Sequence, residues 1–342
     1  MSASSLQDAL DLMTGRWRSQ ILHAGVKLGL FDAIGATTQT SDQLAESLAL
    51  NPSNTYRLLR ALSSIGLLED RPDRSFSVTA TGSLFASDHP KSLRSSCLWE
   101  EGETMYRAWR HLPAIVKEGG ADGIVREFGR PAFDLIATEP EVGQIFNDAM
   151  TGYSSRETSE VIAALQGFDI TSLSSICDIG GGFGHLLCSI LKTYAHLTGT
   201  ILEMPAVLEN PATLLAASFG VSDRITYQAG DMFNCVPQAD AYLLKHILHD
   251  WDDEACRTIL KNAHAASASG ARVLIAEYIV PGPGISDFSK MFDIHMMSVL
   301  TGRERTESEF AELLSESGWA FCKTWSQPAS SMAVVEGVKL DV

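Results

Sequence analysis

The sequence predicts an α/β protein: a doubly wound, mostly parallel sheet preceded by an α-helical domain of winged-helix pattern. Three observations carry this. From about residue 175, short apolar runs alternate with amphipathic stretches, the pattern of strands joined by covering helices. A glycine-rich turn, "CDIGGGFGH", stands at the first strand-to-helix junction. The first hundred residues read helix, turn, helix, wing.

In the N-terminal part, "LQDALDLMTGRWRSQILHAGVKLGLFDAI" places apolar residues at helical spacing. Thr40 or Ser41 caps a short helix, and "ALNPSN" supplies the next turn. The following helix carries Leu58, Leu59, Leu62 and Ile65 on one face and ends at Gly66. "LLEDRPDRSFSVTA" gives two short strands around an Asp-Arg turn, which form the wing. Residues 96–170 read as mostly helical and aromatic, with a break at Gly119-Gly120. The expected division is therefore 1–95 and 96–342, with 96–170 as a linker bearing pocket helices.

Beyond it, "SSICDIG", "LTGTILEM", "RITYQAGDMF", "ADAYLLK" and "ARVLIAEYIV" read as strands. "HLLCSILKTYA", "PATLLAASFG", "DDEACRTILKNAHAAS", "DFSKMFDIHMMSVL" and "ESEFAELLSESG" read as helices. "AFCKTWSQ" and "SSMAVVEGV" close the chain as antiparallel strands.

With 342 residues, the chain is long enough for two domains with sizeable cores. A hydrophobic content of 45% and a charged content of 20% describe a globular protein. The net charge of -16 repels nucleic acid and anionic membranes, which argues against either as the main partner. Six cysteines without a CxxC pair fit reduced thiols in the cytoplasm. No apolar run is long enough to span a bilayer. The first helix carries Asp8, Asp11, Arg16 and Arg18 and does not read as a signal peptide.

Two stretches carry chemistry. The glycine turn reads D-x-G-x-G-x-G from Asp178 through Gly180 and Gly182, not the G-x-G-x-x-G of a dinucleotide site. Glu203 ends the second strand, where an acid can hold ribose hydroxyls or simply meet solvent. Asp231 and Met232 follow the third strand, placed to accept from and pack on an adenine.

The second stretch, "LLKHILHDWDDEAC", puts two histidines three apart among acids. Such a set can bind a metal ion. Asp252, Asp253 and Glu254, however, sit where a helix begins and complement its dipole. The histidines follow a strand's carboxyl end, where ligands bind on such sheets. A catalytic base there fits better than a metal.

"DIGGGFG", "LEMPAV", "GDMF", "KHILHDW" and "GRERT", in this order behind a winged helix, resemble the S-adenosylmethionine-dependent O-methyltransferases of the caffeate and hydroxyindole type. The similarity is greatest to bacterial members that modify aromatic secondary metabolites, phenazine methyltransferases among them, and it covers nearly the whole chain. It implies a class I methyltransferase fold, S-adenosylmethionine as cofactor with no metal, and an N-terminal domain that forms a homodimer instead of binding DNA.

The resemblance also assigns residues. Ser154, Asp178, Gly180, Gly182, Glu203, Asp231, Met232, Lys245 and Trp251 would contact the cofactor, lysine by hydrogen bonding and tryptophan by covering adenine. His249, directly before Asp-Trp, would be the base, its ring clamped by Glu277 and Glu304. His246 stands where the family usually carries a large apolar residue and is read as structural. Phe146, Met150, Met291, His295, Met296 and Leu300 would face the acceptor, with Trp99, Tyr106 and Trp109 as lids. Methionine is adaptable filler for flat rings.

The chemistry explains why such residues are needed. Methyl transfer from a sulfonium is an in-line displacement by an aligned nucleophile. A phenol with a pKa of roughly 10 needs help losing its proton at neutral pH. A histidine supplies that help, and a carboxylate on its other nitrogen fixes the tautomer. A ring-nitrogen acceptor needs no base, so the three catalytic-type positions favour oxygen, with N-methylation as the alternative. A nicotinamide oxidoreductase is disfavoured by the glycine spacing. A winged-helix regulator is disfavoured by the acidity and by the sparse Arg57 and Arg60.

Overall fold

Thr40 accepts from the Gln43 N–H while the Gln43 side chain accepts from the Thr40 N–H, a capping box that starts the helix Ser41–Ser47. Asn51 caps the helix Pro52–Ser64 in the same region, with proline in its first turn. The computed structural model describes residues 3–120, 122–209, 211–328, 330 and 332–340. They divide into two units. One takes the chain up to Arg107 together with Thr138–Tyr153; the other takes Ala108–Ala137 and the chain from Ser154 onward. The boundary expected at residue 95 thus lies inside the first unit, which also recovers a segment from the aromatic stretch.

In the first unit, strands β1 (Gln39–Thr40), β2 (Leu68–Asp70) and β3 (Ser75–Val78) form a small antiparallel sheet in the order β1-β3-β2. This is the expected wing with one extra bridge. Leu59 and Leu62 are fully buried with Leu30, Ile34, Leu44 and Phe76, while Leu58 and Ile65 pack at the edge of that core. At the N-terminal end, Leu6, Leu10, Leu12, Met13 and Trp17 remain exposed.

The second unit contains β4 (Ser175–Ile179), β5 (Thr198–Glu203), β6 (Ile225–Ala229), β7 (Ala241–Lys245), β8 (Arg272–Tyr278), β9 (Trp319–Ser326) and β10 (Met332–Lys339). Their order is β6-β5-β4-β7-β8-β10-β9. The first five are parallel; β10 runs antiparallel to both β8 and β9. The doubly wound sheet and its antiparallel close are as expected. One core lies on each face, around Leu187, Leu191 and Ile201 and around Leu244, Ile259 and Trp319. Burial on both faces explains why β7 and β8 read as continuous apolar runs. The chain leaves β4 toward β5 on one side, and β7 flanks β4 on the other. The crevice at their carboxyl ends is the topological switch point where ligands bind on such sheets.

Candidate active site

β4 delivers Asp178 and the glycine loop to that crevice. Gly180, Gly182 and Gly184 have φ of 68°, 56° and 95°, values that residues with a Cβ rarely adopt. The Gly180 N–H donates to the Leu202 carbonyl at 2.8 Å. The Gly182 N–H donates to Glu203 Oε2 at 2.9 Å, and the Met204 N–H to Glu203 Oε1 at 2.7 Å. Glu203 therefore holds the glycine loop as well as standing where a ribose is expected. A Cβ at Gly182 would meet nothing within 4 Å, so space is open there.

Burial pushes the Asp178 carboxyl up to about 7, with Lys245 opposing and Glu203 adding to the rise. Burial also raises Glu203, although its two backbone donors oppose this. Two desolvated carboxylates beside glycine backbone suit a cationic, hydroxyl-bearing nucleoside such as S-adenosylmethionine.

Asp231 and Met232 follow β6 in a tight turn. Asp231 Oδ1 accepts from the Phe233 N–H at 2.9 Å and Oδ2 from Asn234 Nδ2 at 2.9 Å. The Met232 carbonyl accepts from Asn262 at 2.8 Å. Trp251 is half-buried, stacked on Phe133 at 5.5 Å and edge-on to Phe233 at 4.8 Å. Phe133 thus covers one face of the ring expected to meet adenine. Ser154 is half-buried on the long helix Pro140–Ala164.

β7 ends at Lys245 and hands over to the histidine loop. His246 turns the chain with φ of 54°. Its Nε2 lies 3.1 Å from Glu157 Oε2, which also receives Lys245 Nζ at 3.5 Å. The Tyr278 hydroxyl donates to Glu157 Oε1 at 3.0 Å. Burial pushes the Glu157 carboxyl up, but His246, Lys245 and Tyr278 outweigh it and hold Glu157 well below the usual carboxylate range.

The His246 ring stacks on His249 at 4.7 Å between centroids. His249 Nδ1 lies 2.7 Å from Glu304 Oε1, with both residues buried. Its Nε2 lies 3.4 Å from Asp250 Oδ1. Burial pulls the His249 imidazole down, but Asp250, Glu304 and Glu277 outweigh it and push it up to about 9.

Glu277 works differently from the ring clamp expected of it. Its Oε1 accepts from the backbone N–H groups of Leu248 (2.7 Å) and His249 (3.1 Å), so it grips the loop and not the ring. The acids beyond the loop also separate. Asp252 caps the helix Asp253–Ala266 by accepting from the Ala255 N–H at 2.9 Å. Asp253 instead receives Arg305 at 2.7 Å and Arg303 at 2.9 Å.

Sequence reasoning missed several members. Arg305 is fully buried and donates to the carbonyls of Leu248 (2.9 Å) and Trp251 (3.0 Å), bracketing His249. Gly302 lies so close that an added Cβ would overlap the His249 carbonyl oxygen. Phe292 lies 5.9 Å from the His249 ring and stacks on Phe288 and His295. Glu157 had no local signal; its neighbours are 88 and 89 positions away. "GRERT" did flag the Gly302–Arg305 segment, but not which side chain turns inward.

Among the expected acceptor residues, His295 joins this aromatic row, and Trp109 Nε1 donates to its Nδ1 at 3.2 Å. Leu300 is half-buried and Met296 is buried. Met291 is 66% exposed, so it is not packed into the row. Phe146 and Met150 belong to the first unit, where Phe146 packs edge-on against Trp99 at 5.2 Å.

A doubly wound sheet with a glycine loop, a strand-end acid and a carboxylate-bound histidine at its switch point fits an S-adenosylmethionine-dependent methyltransferase. The family models sharpen this: an O-methyltransferase domain matches residues 109–320, and an O-methyltransferase dimerisation domain matches residues 10–88. The chain belongs to this O-methyltransferase family.

It is 33% identical to the phenazine O-methyltransferase PhzM of Lysobacter antibioticus, over 96% of this chain and 94% of the relative. It is 31% identical to the mitomycin biosynthesis 6-O-methyltransferase of Streptomyces lavendulae, over 98% and 95%. Human N-acetylserotonin methyltransferase, solved in complex with S-adenosylmethionine, superposes with a TM-score of 0.88 at 26% identity, covering all of both chains. The protein is an S-adenosylmethionine-dependent O-methyltransferase, and its dimerisation domain marks it as a homo-oligomer. No group of three or more His, Cys, Asp or Glu among the described residues could hold a metal ion, and no described helix is long and apolar enough to cross a membrane.

Proposed function

We propose that the protein methylates a hydroxyl of a small, flat aromatic secondary metabolite, such as a phenazine or polyketide phenol, with His249 as the general base. The observation that carries this reading is the buried 2.7 Å pair of His249 Nδ1 and Glu304. Glu304 keeps the Nδ1 proton, leaving Nε2 to take the acceptor's proton. Glu277 and Arg305 hold the loop backbone, so the ring is aimed before anything binds. Asp178, Gly180, Gly182, Glu203, Asp231, Met232, Lys245, Trp251 and Ser154 would hold S-adenosylmethionine, which supplies an electrophilic methyl on a sulfonium. Within the second unit, Phe292 and His295 offer flat faces for the acceptor ring. The first unit carries the homodimer contact, supported by its exposed Leu6, Leu10, Leu12, Met13 and Trp17.

A second reading has its own support. A His249 imidazole raised to about 9 is mostly protonated at neutral pH, which suits an acceptor that needs no base, such as a heteroaromatic ring nitrogen. One experiment separates the two. Hydroxylated mono- and polycyclic aromatics are incubated with labelled S-adenosylmethionine and the products read by mass spectrometry. The O-methyl reading expects oxygen-bound label and loss of turnover in His249→Gln. Label on nitrogen alone, or near-normal O-methylation by that variant, overturns it.

A further inference from the structure

The role of His246 is absorbed neither by cofactor binding nor by base chemistry. Two anomalies meet at this residue. Its backbone sits at φ of 54°, a region that a histidine adopts at some strain. Its Nδ1 is buried without a hydrogen-bond partner. Its ring is nonetheless pinned, by Glu157 at Nε2 and by the stacked His249 ring at 4.7 Å.

We propose that His246, anchored by Glu157, is a positioning residue for the base: it fixes the plane of the His249 ring and shares with it a place for a single proton. This rests on the reading of His249 as the base. Each imidazole has its own carboxylate, Glu157 for His246 and Glu304 for His249. Two rings this close repel when both are charged, so a proton on one disfavours a proton on the other. His246 is further faced by Lys245 and Tyr278, and His249 by Asp250 and Glu277. Burial outweighs Glu157 and lowers His246, while the acids raise His249. The shared proton therefore rests on His249. The Lys245–Glu157 contact joins this pair to a residue expected at the cofactor.

The test uses the full-length protein with S-adenosylhomocysteine bound and imidazole carbons labelled. The His249 signal is the one of nine histidines that vanishes in His249→Gln. Its titration is followed by NMR and needs no acceptor. His246→Phe keeps a flat ring but removes the second proton site. His246→Asn tolerates the left-handed backbone but removes the ring, and thermal melting checks that both fold.

In His249→Gln, which removes the neighbouring positive charge, the His246 signal, identified by its loss in His246→Phe, is expected to titrate about half a unit or more higher than in the unaltered protein. In His246→Asn, kcat is expected to fall about 10-fold or more with KM for S-adenosylmethionine unchanged. An unchanged His246 titration in His249→Gln, with that variant inactive in methyl transfer, overturns this inference and leaves the base reading standing. Near-normal O-methylation by His249→Gln removes the base, and the role of His246 with it.

Discussion

The two loops at the switch point solve one problem by opposite means. The loop after β4, proposed to hold the cofactor, is shaped by backbone: three glycines at positive φ, held to the neighbouring strand by Glu203. The loop after β7 places a side chain, and its support comes from afar: Glu157, Glu277, Glu304 and Arg305 lie 28 to 89 positions away from the residues they hold. A backbone site needs space and turn geometry. A side-chain site needs buried charge, and buried charge needs partners.

The difference predicts which measurement each loop controls. The largest effect is expected from Glu304→Gln, which removes the charge that fixes the His249 tautomer. Methyl transfer should fall roughly 10³–10⁴-fold while S-adenosylhomocysteine binds normally by calorimetry. A parallel loss of binding would erase the distinction between the loops. Gly302→Ala comes next. Its Cβ cannot share space with the His249 carbonyl, so the loop must shift, at a cost of about 10²-fold in kcat.

Gly182→Ala has open space but the wrong φ. It should destabilise by about 1–2 kcal/mol in a thermal melt and raise KM for the cofactor, not lower kcat. If its effect falls on kcat instead, the backbone loop also positions the reaction.

The proton state of His249 gives a pH test. With the imidazole raised to about 9, kcat/KM for a phenol should climb with pH from neutrality and level off near 9. The linked stability runs the other way. The folded value lies above the unfolded one, so the contribution is full below about 6.5 and lost as pH rises through about 9. A flat profile over that window would point to an acceptor that needs no base. The smallest effect is expected from Asp252→Ala, which removes only a helix cap and should cost about 1 kcal/mol with activity retained. That outcome would separate the cap from the machinery one residue before it.

The same contrast explains what was legible in the sequence. Strand alternation and the glycine turn are local demands on residue type, and the sheet and the positive-φ loop followed from them. His249, Glu277 and Glu304 were legible only through resemblance, and even then Glu277 was expected on the ring, not on the backbone. The contact-based units divide the chain differently from the expected boundary at residue 95, because Thr138–Tyr153 joins the first unit from a distance. Glu157 and Gly302 carry no local pattern, since their meaning lies entirely in residues far along the chain. Met291 lies one turn before His295 on the same helix yet is 66% exposed, because helical spacing gives a side chain's face and not how fully that face is covered.

The strand order has a consequence for biosynthesis. β10, formed by residues 332–339, is inserted between β8 and β9, and β9 pairs only with β10 among the described residues. While the chain is being made, β8 must wait with an open edge, and β9 emerges with no partner until the final strand arrives. Completion of the sheet therefore waits until Met332–Lys339 has been made. A chain arrested before Met332 should be far more readily cleaved by protease within Trp319–Ser326 than the finished protein.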